Sequence, residues 1–160
     1  MYRMLVVVCI AAAVFGQRVG SVIPARFIGS WDLVSYELRL PSGVITKPFG
    51  DRPVGRILYQ RNGQMSAQLM QPAAPAFSST DPLKATREET ERAWRNYIGY
   101  WGSFRVDLKG GRVIHRIEGG WFPNWIGQEQ IRSFRFDKGR LVLEADTAAW
   151  HAVLIWRKID

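Results

Sequence analysis

The residue types best placed to do chemistry in this chain are His115, Gln130 and Arg132. In Arg112-Val113-Ile114-His115-Arg116-Ile117-Glu118, strand alternation sets Val113, His115 and Ile117 on an apolar face against Arg112, Arg116 and Glu118. The same rule groups Gln130, Arg132, Phe134 and Phe136 against Glu129, Ser133, Arg135 and Asp137. An imidazole beside an amide and a guanidinium can hold a polar or acidic group of a ligand. It can also move a proton, because histidine titrates near neutrality. An inward guanidinium needs a carboxylate, a carbonyl cluster, water or an anionic ligand group to offset its desolvation. Glu37, alternating with Trp31, Leu33 and Ser35, is the candidate carboxylate, and Tyr59, on a face with Gly55 and Ile57, is the candidate hydroxyl. The plainer reading stands beside this one: a histidine on an apolar strand face is a hydrogen-bonded core residue, and an arginine at a strand end covers a tryptophan.

The connection Trp121-Phe122-Pro123-Asn124-Trp125 follows the histidine strand. Aromatics stiffened by a proline either line a mouth and stack on a flat ligand or plug one end of the fold. Trp125 is therefore a candidate ligand contact together with Glu37, Tyr59, His115, Gln130 and Arg132.

These side chains need strands to carry them. Turn signals recur at short spacing, and the segments between them alternate apolar and polar residues, which predicts strands at about 31–40, 54–60, 64–70, 101–108, 112–118, 128–136, 140–145 and 151–158. Arg61-Asn62-Gly63, Lys109-Gly110-Gly111 and Asp137-Lys138-Gly139 supply hairpin turns. The segment 71–82 carries Pro72, Pro75 and Pro82 and reads as a surface or pocket-mouth loop. Thr86-Arg87-Glu88-Glu89 then reads as a capping box opening a helix to about Tyr100, with Ala93, Trp94, Tyr97 and Ile98 as its apolar stripe. Eight sequential antiparallel strands with short connections predict an all-β up-and-down barrel, closed so that no sheet edge is exposed, with one helix between strands 3 and 4. Within it, Gly102, Phe104, Val106 and Leu108 should point inward beside His115.

Length and charge narrow the classes. The 160 residues suit one buried core rather than two. The formal charge is +8, but the arginines are dispersed without a run, so solvated surface charge is expected and nucleic acid is not an expected partner. No Ser-His-Asp series or metal-ligand spacing is evident, and no cofactor or metal is expected. Arg3 precedes an unbroken apolar run, 4–15, too short to span a bilayer comfortably. It reads as a signal peptide within 1–21, cut near 16 or 21, ahead of a domain at 27–158, which implies a secreted or periplasmic protein. The alternative is an uncleaved anchor, the sole route by which a membrane would enter. Cys9, the only cysteine, lies in that leader, so the mature chain would carry no disulfide.

Gly29-Ser30-Trp31 resembles the Gly-x-Trp opening of lipocalins, and Arg157 matches the arginine that packs on that tryptophan. Trp31-x-Leu33-Val34-Ser35-Tyr36-Glu37, Pro48-Phe49-Gly50, Gly55-x-x-x-Tyr59, Met65-Ser66-Ala67-Gln68, Tyr97-x-x-Tyr100-x-Gly102, His115-x-x-Glu118 and Pro123-Asn124-Trp125-x-Gly127-x-x-Gln130-x-Arg132 together resemble the lipocalin-like domain family of bacteria and fungi. The resemblance spans about 27–158 and implies a barrel with a small-molecule cavity. The chain departs from true lipocalins in lacking a Thr-Asp-Tyr motif, in having no disulfide and in the place of its helix, so the resemblance does not name a ligand. Besides an envelope interaction protein whose barrel its own side chains fill, two functions follow. One is a carrier of a small, partly apolar, acidic or polar molecule oriented by Arg132, Gln130 and His115. The other is an isomerase or cyclase in which His115 is general acid or base and Arg132 and Tyr59 stabilise an oxyanion.

Overall fold

Strands form where the alternation requires them, and the computed structural model describes residues 23–72 and 74–159. They are β1 (Gly29–Arg39), β2 (Ile45–Thr46), β3 (Val54–Tyr59), β4 (Gln64–Met70), β5 (Tyr97–Asp107), β6 (Arg112–Gly120), β7 (Glu129–Asp137), β8 (Arg140–Asp146) and β9 (His151–Ile159), with one α-helix, α1 (Arg87–Arg95). Each of the strands β3 to β8 pairs antiparallel with its successor, and β1 pairs with β3 on one side and β9 on the other. That double pairing closes an eight-stranded barrel, leaving no long edge open to another chain. The expected leader lies outside the described residues.

Several expectations are corrected. The two-residue β2 pairs with the end of β1 and adds one strand to the count, so the helix falls between β4 and β5 rather than between strands 3 and 4. The helix is also shorter than expected. Its capping box is present, with Thr86 Oγ1 accepting from the Glu89 amide at 3.2 Å and Glu89 accepting from the Thr86 amide at 2.8 Å. Yet it stops at Arg95, because Tyr97, Ile98, Gly99 and Tyr100 pair with Met70, Leu69, Gln68 and Ala67. A nine-residue helix is marginal by itself, and a ladder of hydrogen bonds to β4 outcompetes its extension. At the Arg61-Asn62-Gly63 hairpin only Gly63 takes a positive φ, 84°, so Asn62 is not strained. Leu108 sits exposed in a turn instead of inward.

The lower half of the barrel is filled. Phe27, fully buried in the 3-10 turn Ala25–Phe27, meets Tyr59, Phe134 and Phe136 edge-to-face at 5.8, 4.8 and 5.2 Å between centroids. Trp31 donates its Nε1–H to the Phe27 carbonyl at 2.9 Å, which ties this plug to β1. Lys158, not Arg157, lies over Trp31, with Nζ 5.3 Å from the ring centroid. Alternation on β9 explains it: Lys158 is opposite Trp31, while Arg157 turns out toward Asp32. The plug therefore depends on one aromatic seated against three others. We expect Phe27→Ala to lower the unfolding free energy by about 3–5 kcal/mol in denaturant titration; a loss below about 1 kcal/mol would mean the plug does not hold the base.

Candidate functional site

Above the plug the interior is not filled. A cavity of about 470 Å³ opens there, lined by side chains from β1, β3, β4, β5, β7, β8 and β9, among them Ile57, Leu69, Leu143, Ala152 and Leu154. That volume falls within the range of small-molecule sites, roughly 300–1,000 Å³, and is about three times the roughly 150 Å³ that accommodates a benzene ring.

Gln130 and Arg132 are both half-buried on the cavity wall, as the alternation of β7 requires. Arg132 donates from Nη1 to the Gln130 carbonyl at 3.3 Å, and its guanidinium carbon stands 5.8 Å from the Tyr100 ring centroid. No carboxylate among the described residues forms an ion pair with it.

Glu37 does not fill that place. Leu33 opposes Trp156 and Ser35 opposes Ile155, so β1 carries one residue, Val34, that β9 does not match. This bulge reverses the alternation beyond it. Tyr36 and Leu38 consequently line the cavity, and Glu37 reaches Arg39, 3.5 Å away, on the outer side.

His115 faces inward and is fully buried, but it lies beneath the cavity floor and is not part of its lining. Its Nε2 is 2.7 Å from the Tyr59 hydroxyl and its Nδ1 is 3.1 Å from the Tyr100 hydroxyl. Both nitrogens are thus engaged, so the imidazole has no free atom for direct acid or base work on a bound molecule. Tyr59 is likewise below the cavity, packed on Phe27 and Phe104 with centroids 5.8 and 4.5 Å away. Tyr100 is different, because it bonds to His115 and also lines the cavity. The three residues form a polar layer between the aromatic plug and the open chamber.

Burial, and secondarily the Arg132 charge, hold the His115 imidazole well below its ordinary pKa. Burial likewise pushes the Tyr59 hydroxyl well above the usual phenol value and raises that of Tyr100. All three groups are therefore neutral near pH 7.

At the mouth, Pro123–Trp125 forms a 3-10 turn that presents Trp125 to the cavity, edge-on to Tyr100 at 5.9 Å. Trp121 stacks on Trp94 of α1 at 4.4 Å and donates its Nε1–H to the Trp94 carbonyl at 3.1 Å. Of the two readings of this loop, lining the chamber describes both Trp121 and Trp125. The 74–86 segment is held to the helix by Glu89, which accepts from the Ser78 amide at 2.6 Å.

Sequence reasoning missed three wall residues. The capping box and apolar stripe extend the expected helix to Tyr100, although Ile98, Tyr100, Gly102, Phe104 and Val106 continue one alternating face, the signal that finds it. Tyr36 was hidden by the bulge. Trp156, deeply buried on β9 and part of the lining, carries the one buried side-chain polar atom among the described residues, Nε1, that has no hydrogen-bond partner.

The neutral imidazole gives a pH test. The unfolded chain takes up a proton near the ordinary histidine value, about 6.5, while the folded chain does not until far lower pH. Below about pH 6.5 the unfolded state therefore binds more protons, and stability falls as pH falls, by up to about 1.4 kcal/mol per pH unit, until the depressed folded value is reached. Denaturant titrations at pH 7 and 5 should show this loss in the native chain and a smaller one in His115→Gln; identical losses would place the imidazole in a hydrated setting.

A family model described as a lipocalin-like domain matches residues 28–159. Among characterised proteins, the chain is 36% identical over 109 residues to the 4'-hydroxy-3'-methoxypropiophenone carrier protein ppsC of Aspergillus oryzae, covering 59% of this chain and 96% of that protein. Among solved structures, a lipocalin-like protein from Bacteroides uniformis superposes with a TM-score of 0.44 at 12% identity, covering 84% of this chain and 99% of that one. A fatty acid transporter designated REP1-NXSQ superposes with a TM-score of 0.41 at 13% identity, covering 86% and 98%.

Proposed function

The chain belongs to the lipocalin-like domain family, and on that footing we propose that it is a carrier that encloses one small, partly apolar molecule in the chamber above Tyr100. The observation that supports this most is the chamber itself: about 470 Å³ of mostly aliphatic and aromatic wall, with a few polar groups set into it. Leu69, Leu143, Ala152 and Leu154 supply affinity by removing apolar ligand surface from water. Arg132, without an ion-pair partner among the described residues, favours a molecule carrying an anionic or electron-rich oxygen. Tyr36 adds a phenol to the same lining.

The 36% identical relative is a carrier of a phenolic aryl ketone, and such a ligand fits the same demands. Its ring suits Trp125 and the aliphatic wall, and its oxygens suit the donors. The apolar leader before residue 22 supports release of this carrier outside the cytoplasm, secreted or periplasmic.

Saturable quenching of tryptophan fluorescence by 4'-hydroxy-3'-methoxypropiophenone is the primary test. Ala152→Trp, which fills the chamber from β9, should abolish that quenching while the circular dichroism spectrum persists. Unimpaired binding by this variant would place the ligand elsewhere. Arg132→Ala should weaken an acidic ligand, such as a ring-substituted benzoate, by about tenfold more than its neutral amide in parallel calorimetric titrations. Equal losses would remove the charge recognition assigned to Arg132.

A further inference from the structure

The polar layer beneath the chamber holds three neutral groups, and its protons can be assigned. Neutral imidazole donates from one nitrogen and accepts at the other. Tyr59 and Tyr100 each face one nitrogen, so one phenol gives its hydrogen to the ring while the other receives the ring N–H and must place its own hydrogen elsewhere.

Energetics choose between the two arrangements. The Tyr59 hydroxyl is sealed among Phe27, Phe104 and His115, and its one hydrogen-bond partner is the imidazole. A Tyr59 hydrogen turned away from His115 would be a buried donor without an acceptor, an arrangement that buried polar groups avoid. Tyr100, by contrast, borders the chamber. The lengths agree, since hydroxyl donors make shorter bonds than N–H donors: 2.7 Å on the Tyr59 side and 3.1 Å on the Tyr100 side. Tyr59 therefore donates to Nε2 and Nδ1–H donates to the Tyr100 oxygen, which leaves the hydrogen of Tyr100, a residue that borders the chamber, without a partner among the described residues.

We infer that Tyr100, oriented by His115 and working beside Arg132, is a donor subsite that binds a carbonyl oxygen of the carried molecule, a recognition that rests on the carrier reading. The Tyr100 oxygen already accepts from His115, and the guanidinium above it has no lone pair. The pair offers hydrogens and has no acceptor to spare, so a pure acceptor such as a ketone satisfies it. A neutral phenol placed there would leave its own hydrogen without a partner. His115 is thus a positioning residue: it passes the donor capacity of a sealed tyrosine to one that a ligand can reach.

Two measurements test this. Nitrogen-15 NMR of the unaltered protein should find His115 protonated at Nδ1 and bare at Nε2; the opposite tautomer overturns the inference without touching the carrier reading. Binding of 4'-hydroxy-3'-methoxypropiophenone is then compared with that of 2-methoxy-4-propylphenol, in which a methylene replaces the carbonyl, for the unaltered protein and Tyr100→Phe. The variant should lose about tenfold on the ketone and stay within about twofold on the propylphenol. The carbonyl stretch of the bound ketone should also move to higher frequency in the variant. Equal losses on both probes, or an unmoved stretch, sink the carbonyl subsite and leave the carrier standing. Failure of both probes to bind the unaltered protein removes the carrier reading and this inference with it.

Discussion

Strand β1 hydrogen-bonds to β3 along one side and to β9 along the other, and this double engagement converts a curled sheet into a closed wall. Closure creates an inside that water does not reach freely, and every later property depends on it. The unmatched Val34 within that closing seam then sets which residues occupy the inside. Before it, Trp31 and Leu33 pack into the aromatic base; after it, Tyr36 and Leu38 face the chamber. A single extra residue thus divides β1 into a segment that fills and a segment that encloses.

The division between filled base and open chamber is maintained by hydrogen bonding as well as by size. His115 can be buried because two phenols satisfy its nitrogens, and Tyr59 can be buried because the imidazole satisfies its hydroxyl. Such a layer is worth more for specificity than for stability, because its members must all be present and correctly oriented or each becomes an unpaired polar group. Tyr59 on β3 and His115 on β6 lie three strands apart in the sheet order, so their contact exists only across the interior of the curled wall.

The mouth of the chamber has a looser construction. Trp121, Trp125 and Trp94 pack on one another where α1 and the Pro123–Trp125 turn approach, and these aromatics remain partly accessible. Their stacking gives a ligand entrance of apolar character on elements that are not part of the barrel ladder, with Glu89 fastening the adjoining loop. Rigidity below and lighter packing above is the distribution expected of a protein that must admit a molecule and then hold it.

Much of this was legible in the chain itself. Alternation placed seven of the eight barrel strands closely and began β5 four residues late; it turned His115, Gln130 and Arg132 inward, and Thr86 with Glu89 announced the helix start. These features are local: side-chain direction in a strand repeats every second residue, and a capping box closes within four. What escaped were features set by distant partners. The end of α1 was decided by competition from β4, and the exclusion of Glu37 by pairing with β9. Likewise, the placing of His115 under the floor was decided by two tyrosines that the sequence keeps 56 and 15 residues away. The sequence by itself determined which faces are apolar, since that requires only the pleat of each strand. Only the tertiary structure decided which polar groups reach the chamber, because a hydrogen bond depends on ångström separations that closure of the barrel alone brings about.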